Sequence, residues 1–577
     1  MHAYWTYINT IIEPADTADR PASQKRFWGY IKSLKKDSTG ISSLKENGKL
    51  HTDPLDKANI LNRQYQSVFT QEDTRNIPTV DGIPFPSMPE ITVTNQGVEK
   101  LLSQLNPHKA SGPDGIPARV LRECSRDLAP ILTLFFSKSL AEGSVPDDWR
   151  EANITAIFKK GDRCLASNYR PVSHTSLSLC CKLQEHIVVS NVLKHLERHN
   201  ILTDCQHGFR AKRSCETQLL TLVHELANSL DKKQQVDMAI LDFSKAFDRV
   251  PHQRLLRKID HYGVRGQTFA WIKDFLADRK QQVVVDGAIS AQAPVVSGVP
   301  QGTVLGPLLF LLFINDLPDN LKCRVRLFAD DCIVYNIIDS EQNSRDLQND
   351  LEVLAQWERR WGMAFHPEKC SILSICNSNS PYLFRYKLKG HVLERTSSSK
   401  YLGVNIFSNL NWGGHIDKIV NKANGVLGFL RRNLKTNNRV VKERAYFSLV
   451  RPHLEYCCSI WCPFQKDDIR KIEMVQRRAA RFVLNRYHNT SSVSDMLDEL
   501  RWTSLETRRQ NCQLSLMYKI VHNLVDVPAD QFLVPAYGRT RSNHSYKFRQ
   551  FSCRTNIFRA SFFPKVVPVW NTRHKRV

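Results

Sequence analysis

The sequence predicts an α+β fold built from several packed units, on three grounds. Its 577 residues exceed what one hydrophobic core supports, and an apolar fraction of 42 % supplies two to four cores without disulfide staples. From about residue 97 to 405, apolar strand-like runs alternate with stretches of helical periodicity, the pattern of an α+β or α/β unit. After about 405 the periodicity is helical.

Residues 22–70 hold a basic amphipathic stretch, SQKRFWGYIKSLKKD, and a second helix-like run, DKANILNRQYQSVF. In the following NIPTVDGIPFPSMPEIT, Pro78, Pro84, Pro86 and Pro89 preclude a regular element and predict a linker, with a boundary near residue 90. Residues 238–241 read as a buried strand that ends at Asp242. The segment RVRLFADDCIVYN has apolar residues on both sides of Asp330 and Asp331, as a β-hairpin with the acids at its tip would. Asp242 and Asp330 are 88 residues apart, room enough for neighbouring strands of one sheet, so three carboxylates can converge. The apolar run at 304–314 is far short of the roughly 20 residues that span a bilayer and reads as a buried core element. Leu347, Leu351, Leu354 and Trp361 form the buried row of a later helix.

Two helices near the end carry apolar rows flanked by cations. In the first, Ile416, Ile419, Val420, Ala423, Val426, Leu427 and Leu430 form the row, with Lys418, Lys422, Arg431 and Arg432 outside it. In the second, Ile469, Ile472, Val475, Ala479 and Phe482 are bordered by Arg470, Lys471, Arg477, Arg478 and Arg481. Such faces are ordinarily just solvated, but two in succession beside a carboxylate site suit contacts to a phosphate backbone.

Charge and cysteine usage narrow the class. A net charge of +24 points to a polyanionic partner, nucleic acid ahead of an anionic membrane surface. The first twenty residues lack the basic, apolar and small-residue segments of a secretory signal, and fifteen scattered cysteines suit a reduced, intracellular setting, nucleus or cytoplasm. Cys457, Cys458 and Cys462 lack a nearby His, and Cys205, His207 and Cys215 do not follow a zinc spacing.

Paired acids in a desolvated cleft raise each other's pKa, so the Asp cluster requires a positive partner. Mg²⁺, a hard ion bound by carboxylates and substrate phosphates, meets that need, and two such ions stabilise attacking and leaving oxygens in phosphoryl transfer. Because successive strand residues point opposite ways, Asp330 and Asp331 can both serve only if a turn reorients one of them. Asp330 is expected to be the stronger ligand.

The ordered blocks KASGPDGIPARVL, IFKKGD, NYRPVS, QHGFRAKRSCETQL, DFSKAFD, SGVPQGTVLGPLLF, FADD, FHPEKC and KYLGV resemble the reverse transcriptases of non-LTR, LINE-type retrotransposons of the jockey-like group. The likeness is close over about 100–405 and looser through RPHLEYCCSIW and IEMVQRRAARFV to SFFPKVVPVWN. It implies a right-hand polymerase: an N-terminal extension and linker over 1–95, fingers and an antiparallel-sheet palm over 96–405, a helical thumb over 406–490, and a helical or irregular region over 491–577. It also implies an RNA template, a DNA primer or target, deoxynucleotides as substrates, no membrane partner, and two Mg²⁺ ions for which Mn²⁺ can substitute. Oligomeric state is left open.

The resemblance assigns roles residue by residue. Asp242, Asp330 and Asp331, with the main-chain carbonyl of Phe243, would hold metal. Lys159, or alternatively Lys160, together with Arg170 would neutralise nucleotide phosphates, Arg being suited to a bidentate grip. Phe247 would sit against the sugar 2′ position and exclude a ribonucleotide hydroxyl. Gln301 and Gly302, in a loop with glycines that permit close backbone approach, would meet the nucleotide or template base. Lys369 would donate a proton to departing pyrophosphate, although an ordinary surface lysine is the competing reading. Lys418, Lys422, Arg431, Arg432, Arg477 and Arg478 would contact nucleic acid. Complete elements of this kind carry an N-terminal endonuclease, and the chain reads as a piece that lacks it. A catalytically inert nucleic-acid-binding remnant and a maturase-like protein are the rival readings.

Overall fold

The computed structural model describes Gly29 and residues 40–109, 115–173, 179–378, 380–488, 490–536 and 546–573. All of the basic stretch at 23–37 except Gly29, and residues 110–114 of the KASGPDG block, lie outside the described residues. The mixed α/β organisation read from the sequence is present, with two five-stranded sheets and many helices.

The central sheet is built around Gln235–Leu241, which has no exposed residue. Ser371–Ile375 pairs antiparallel on one side of it and Asp331–Ile338 antiparallel on the other, with Arg324–Phe328 beyond. Glu394–Thr396 adds to the far edge in parallel. The period of two explains how this strand serves both faces. Ala239 and Leu241 enter one core, with Cys332, Val334 and the helix Leu305–Ile314, while Val236 and Met238 enter another, with Ile333, Tyr335 and Leu373. The helix Leu305–Ile314 is apolar on every side because protein surrounds it. The Glu185 carboxylate accepts from the amides of Val304 and Leu305 at 2.8 Å each, satisfying orphan donors at its start.

The second sheet holds the hairpin Glu151–Phe158 and Tyr169–Ser173, with Lys280–Val285 joined in parallel to its first strand. Its core includes Leu44, Ala58, Ile60, Leu61 and Tyr65 packed against Ile154, Tyr169, Val283 and Val285. Residues 44–65, grouped from sequence with a linker, are thus part of this sheet's core. The proline-rich segment has no helix or strand, as its prolines dictate, yet it is fastened down. Phe85 N donates to His261 O at 2.9 Å, Met88 N to Gly263 O at 2.7 Å, and Arg360 pairs with Asp81 at 2.7 Å.

The expected boundary near 405 falls inside a hairpin, Ser398–Tyr401 with Val404–Phe407. The helices Gly413–Asn433 and Lys466–Leu484 follow and lie against each other, Lys471 reaching Asp417 at 2.8 Å. Leu505–Val521 and Phe562–Arg573 share their core, as does Cys215–Asp231, so 406–490 and 491–577 are not separately packed. Cys323, Cys332, Cys370, Cys457, Cys458 and Cys462 are buried free thiols, and among the described residues no helix is long and apolar enough to cross a membrane.

Candidate active site

The register of the central sheet brings the acids together. Cys332 lies opposite Leu241, so Asp331 and Asp242 stand at neighbouring ends of the paired strands, and the charge of Asp242 acts on Asp331. The hairpin tip is a two-residue connection between Phe328 and Asp331, in which Ala329 has φ +53°. A left-handed residue opens the turn, and because Asp330 lies in the connection rather than in a strand, strict strand alternation does not govern it and Asp331. Asp330 is half-buried and Asp331 more exposed. Burial raises the Asp330 carboxyl, with Asp242 adding to the rise and Arg170 and Lys159 opposing it. Burial, Asp330 and Asp242 push the Asp331 carboxyl up to about 6, because protein still encloses much of it.

The three acids feel one another's charge, yet among the described residues no trio of His, Cys, Asp or Glu closes tightly enough to hold a metal. Their repulsion opposes closer approach. The donor chemistry still fits a hard divalent cation: carboxylate oxygens with raised proton affinity, and a spare carbonyl. That carbonyl is on Phe243. Its neighbours make the flanking hydrogen bonds, His366 N to Asp242 O at 2.9 Å and Ser244 N to Ala364 O at 2.7 Å, and Phe243 O takes part in neither. The Phe243 ring is core, stacked on Phe365 at 4.2 Å. Burial depresses His207 to about 3.

Cations reach this cluster from two directions. Lys159 and Arg170 stand exposed on the hairpin of the second sheet, where Lys159 N donates to Asn168 O at 2.9 Å, and the fields of both act on Asp330. Lys159 also acts on Asp331. Lys160 is exposed, and among the described residues no interaction joins it to the acids. From the other side, Lys369 Nζ lies 3.7 Å from Asp242 Oδ2.

A cavity is lined by Tyr65, Pro171, Lys245, Phe247, Asp248 and Gln301. Phe247 is half-buried, stacked on Phe310 at 4.4 Å and edge-on to Phe209 at 6.2 Å. Gln301 Nε2 donates to Asp248 Oδ1 at 2.6 Å, and Gly302 follows with φ +97°. Asp248 and Lys245 were missed from sequence, although both lie within DFSKAFD, because a lone charge there gives no hint of its partner. Burial raises the Asp248 carboxyl, partly offset by Gln301, Lys245 and Arg170. Also missed was Gln206, which bonds the carboxylate turn directly.

The cations of the two late helices are more mixed. Lys418, Lys422, Arg431, Arg432, Arg477 and Arg478 are all exposed. Lys418 Nζ donates to Asn405 Oδ1 at 3.1 Å, Arg478 Nη1 to Asn424 Oδ1 at 3.1 Å, and Arg431 lies 5.0 Å over the Tyr487 ring. Lys471 is neutralised by Asp417 and Asp468.

An Asp-ended strand beside an Asp-Asp hairpin, overlooked by cations from a second sheet, is an arrangement suited to metal-assisted phosphoryl transfer. More narrowly, residues 157–406 match the family described as reverse transcriptase (RNA-dependent DNA polymerase). The chain is 28 % identical to a probable RNA-directed DNA polymerase from transposon BS of Drosophila melanogaster, over 79 % of this chain and 52 % of that protein. It is likewise 28 % identical to the RNA-directed DNA polymerase from mobile element jockey of Drosophila funebris, over 74 % and 48 %. With the probable RNA-directed DNA polymerase from transposon X-element of Drosophila melanogaster it shares 28 % identity over 67 % and 43 %. The chain spans about half the length of the curated relatives it matches.

Proposed function

We propose that this chain is an RNA-directed DNA polymerase of a non-LTR retrotransposon, which joins deoxynucleotides to a primer 3′-hydroxyl on an RNA template. The observation that carries the reading is the register that sets Asp242 beside the Asp330–Asp331 hairpin on adjacent antiparallel strands. In it, the central sheet is the palm, the hairpin bearing Lys159 and Arg170 belongs to the fingers, and the helices of 406–490 form the thumb. Asp242, Asp330, Asp331 and the Phe243 carbonyl are the ligands for two Mg²⁺ ions, with Mn²⁺ as a substitute. Bound there, such ions supply charge neutralisation to the attacking and leaving oxygens.

The chain's own groups do the rest. Lys159 and Arg170 bind the β- and γ-phosphates and hold the α-phosphorus in line with the hydroxyl, so catalysis is chiefly positioning and electrostatics. Phe247 is the surface that a ribose 2′-hydroxyl meets, Gln301 and Gly302 border the nucleotide, and Lys369 delivers a proton to the departing pyrophosphate. Lys418, Lys422, Arg431, Arg432, Arg477 and Arg478 track the nucleic-acid backbone.

Primer extension on an RNA template with Mg²⁺ tests the reading. Asp242→Asn and Asp330→Asn are each expected to lower the rate at least roughly a thousandfold, about 4 kcal/mol of barrier. Salt-sensitive RNA binding without incorporation at any metal concentration would instead identify an inert nucleic-acid-binding protein, and assistance to intron splicing would identify a maturase.

A further inference from the structure

The segment Gln206–Phe209, quoted from sequence without a role, is strapped across the carboxylate hairpin. His207 N donates to Leu327 O at 2.8 Å, and Leu327 N to Cys205 O at 2.9 Å. Gly208 lies so close that a Cβ would stand 2.3 Å from Ala329 N, which excludes every other residue type there. Within the strap, Gln206 is only 2 % exposed, and its amide bonds both the turn and the strap's own Gly208. Its Oε1 accepts from Ala329 N at 2.9 Å and from Gly208 N at 2.7 Å, and its Nε2 faces Ala329 O at 3.4 Å. The strap is anchored in turn by Arg213, whose Nη1 donates to Gln206 O at 2.8 Å and whose Nε pairs with Asp526 at 2.6 Å.

The residue so held is the one that most needs holding. Ala329 sits at φ +53°, a conformation that a side-chain-bearing residue adopts only when its surroundings impose it. Ala329 opens the two-residue connection that carries Asp330 and leads into Asp331, the first residue of the next strand. We propose that Gln206 is a positioning residue of the polymerase site: by clamping Ala329 in the left-handed conformation, it fixes the turn that carries Asp330 and leads into Asp331, the acids that bind the cations. What the acids do is taken from the function proposed above; the clamp itself stands on the hydrogen bonds to Ala329.

The test combines three measurements on the full chain. Gln206→Met keeps the volume and removes the clamp. It is expected to speed hydrogen exchange in the peptide spanning Ala329 and to weaken Mn²⁺ binding, followed by electron paramagnetic resonance, roughly tenfold or more, as loss of an orienting partner does at other metal sites. Adding Ala329→Gly should recover most of the Mn²⁺ affinity, because glycine takes a positive φ without strain. Should Gln206→Met fail to fold, Gln206→Asn, polar but one methylene too short, reads the same loss. Unchanged exchange and Mn²⁺ affinity would overturn the proposal, as would a loss that Ala329→Gly leaves in place. Primer extension by the unmodified chain separates the two readings: no extension, with exchange still responding to Gln206→Met, removes the polymerase assignment and leaves the clamp.

Discussion

Gln301 Nε2 donates to Asp248 Oδ1 across 2.6 Å, joining the loop after the second sheet to the short helix that follows Asp242. The carboxyl is raised chiefly by burial, and the Gln301 amide is the main group holding that rise in check. Gln301→Ala removes the donor and leaves a desolvated carboxylate, which should cost about 1–2 kcal/mol. A folded-state pKa raised further makes the penalty largest at neutral pH and smaller as the pH falls and the carboxyl takes up its proton. Urea unfolding of Gln301→Ala at pH 5 and pH 7.5 checks this. Equal deficits at both values would mean that packing, not the carboxylate, is responsible.

Lys369 and Asp242 are each about half-exposed and 3.7 Å apart, so the pair adds less than about 1 kcal/mol to stability. Lys369→Gln should therefore melt with the unmodified protein. If Lys369 delivers the proton to pyrophosphate, kcat should fall roughly a hundredfold, with the high-pH limb of the rate profile altered and the KM for nucleotide little changed. An unaltered kcat would reduce Lys369 to a surface ion pair.

The raised acids make metal binding and stability depend on pH in opposite senses. Asp331 holds its proton up to about pH 6 in the folded chain, against about 3.8 when free, so ionising it works against the fold between those values. Stability lost as pH rises through that window is regained when a cation binds. In chelator at pH 7.5, Asp331→Asn should be more stable than the unmodified protein by about 1 kcal/mol, a figure reduced for the solvent that reaches this side chain. The difference should vanish below about pH 4. With metal present, half-maximal activity should demand more Mg²⁺ as the pH drops below 6. A less stable Asp331→Asn at pH 7.5 would contradict the cause given for the raised carboxyl.

What the sequence made legible is what depends on nearest neighbours. The helix Glu341–Trp361 and its buried row follow from a period of 3.6, and the acid hairpin follows from apolar runs on both sides of two aspartates. Contacts between distant segments left no such mark. The parallel pairing of Glu151–Phe158 with Lys280–Val285 joins strands more than a hundred residues apart, and the helix Pro54–Gln66 completes their core from before the proline-rich segment. Gln206 and Asp248 were invisible as site residues for the same reason: each is identified by the partner it meets at Ala329 or Gln301. Exposure of Lys418 or Arg477 could be read from the apolar row opposite, and so could the pairing of Lys471 with Asp468 three residues before it, but its second partner could not, since Asp417 lies on the other helix.

That last difference yields a prediction for the basic helices. Lys422 and Arg477 are exposed, whereas Lys471 is neutralised twice over, by Asp417 and by Asp468. If this face tracks a phosphate backbone, each free cation releases counterions on binding and Lys471 releases few. Lys422→Ala and Arg477→Ala should each weaken RNA binding without sequence preference and lower the slope of log K against log salt by about 0.7–0.9. Lys471→Ala should leave the slope nearly unchanged while loosening the contact between its helix and Gly413–Asn433. Filter binding across a salt series separates the three variants. Equal slopes for all of them would move the nucleic-acid path away from these helices.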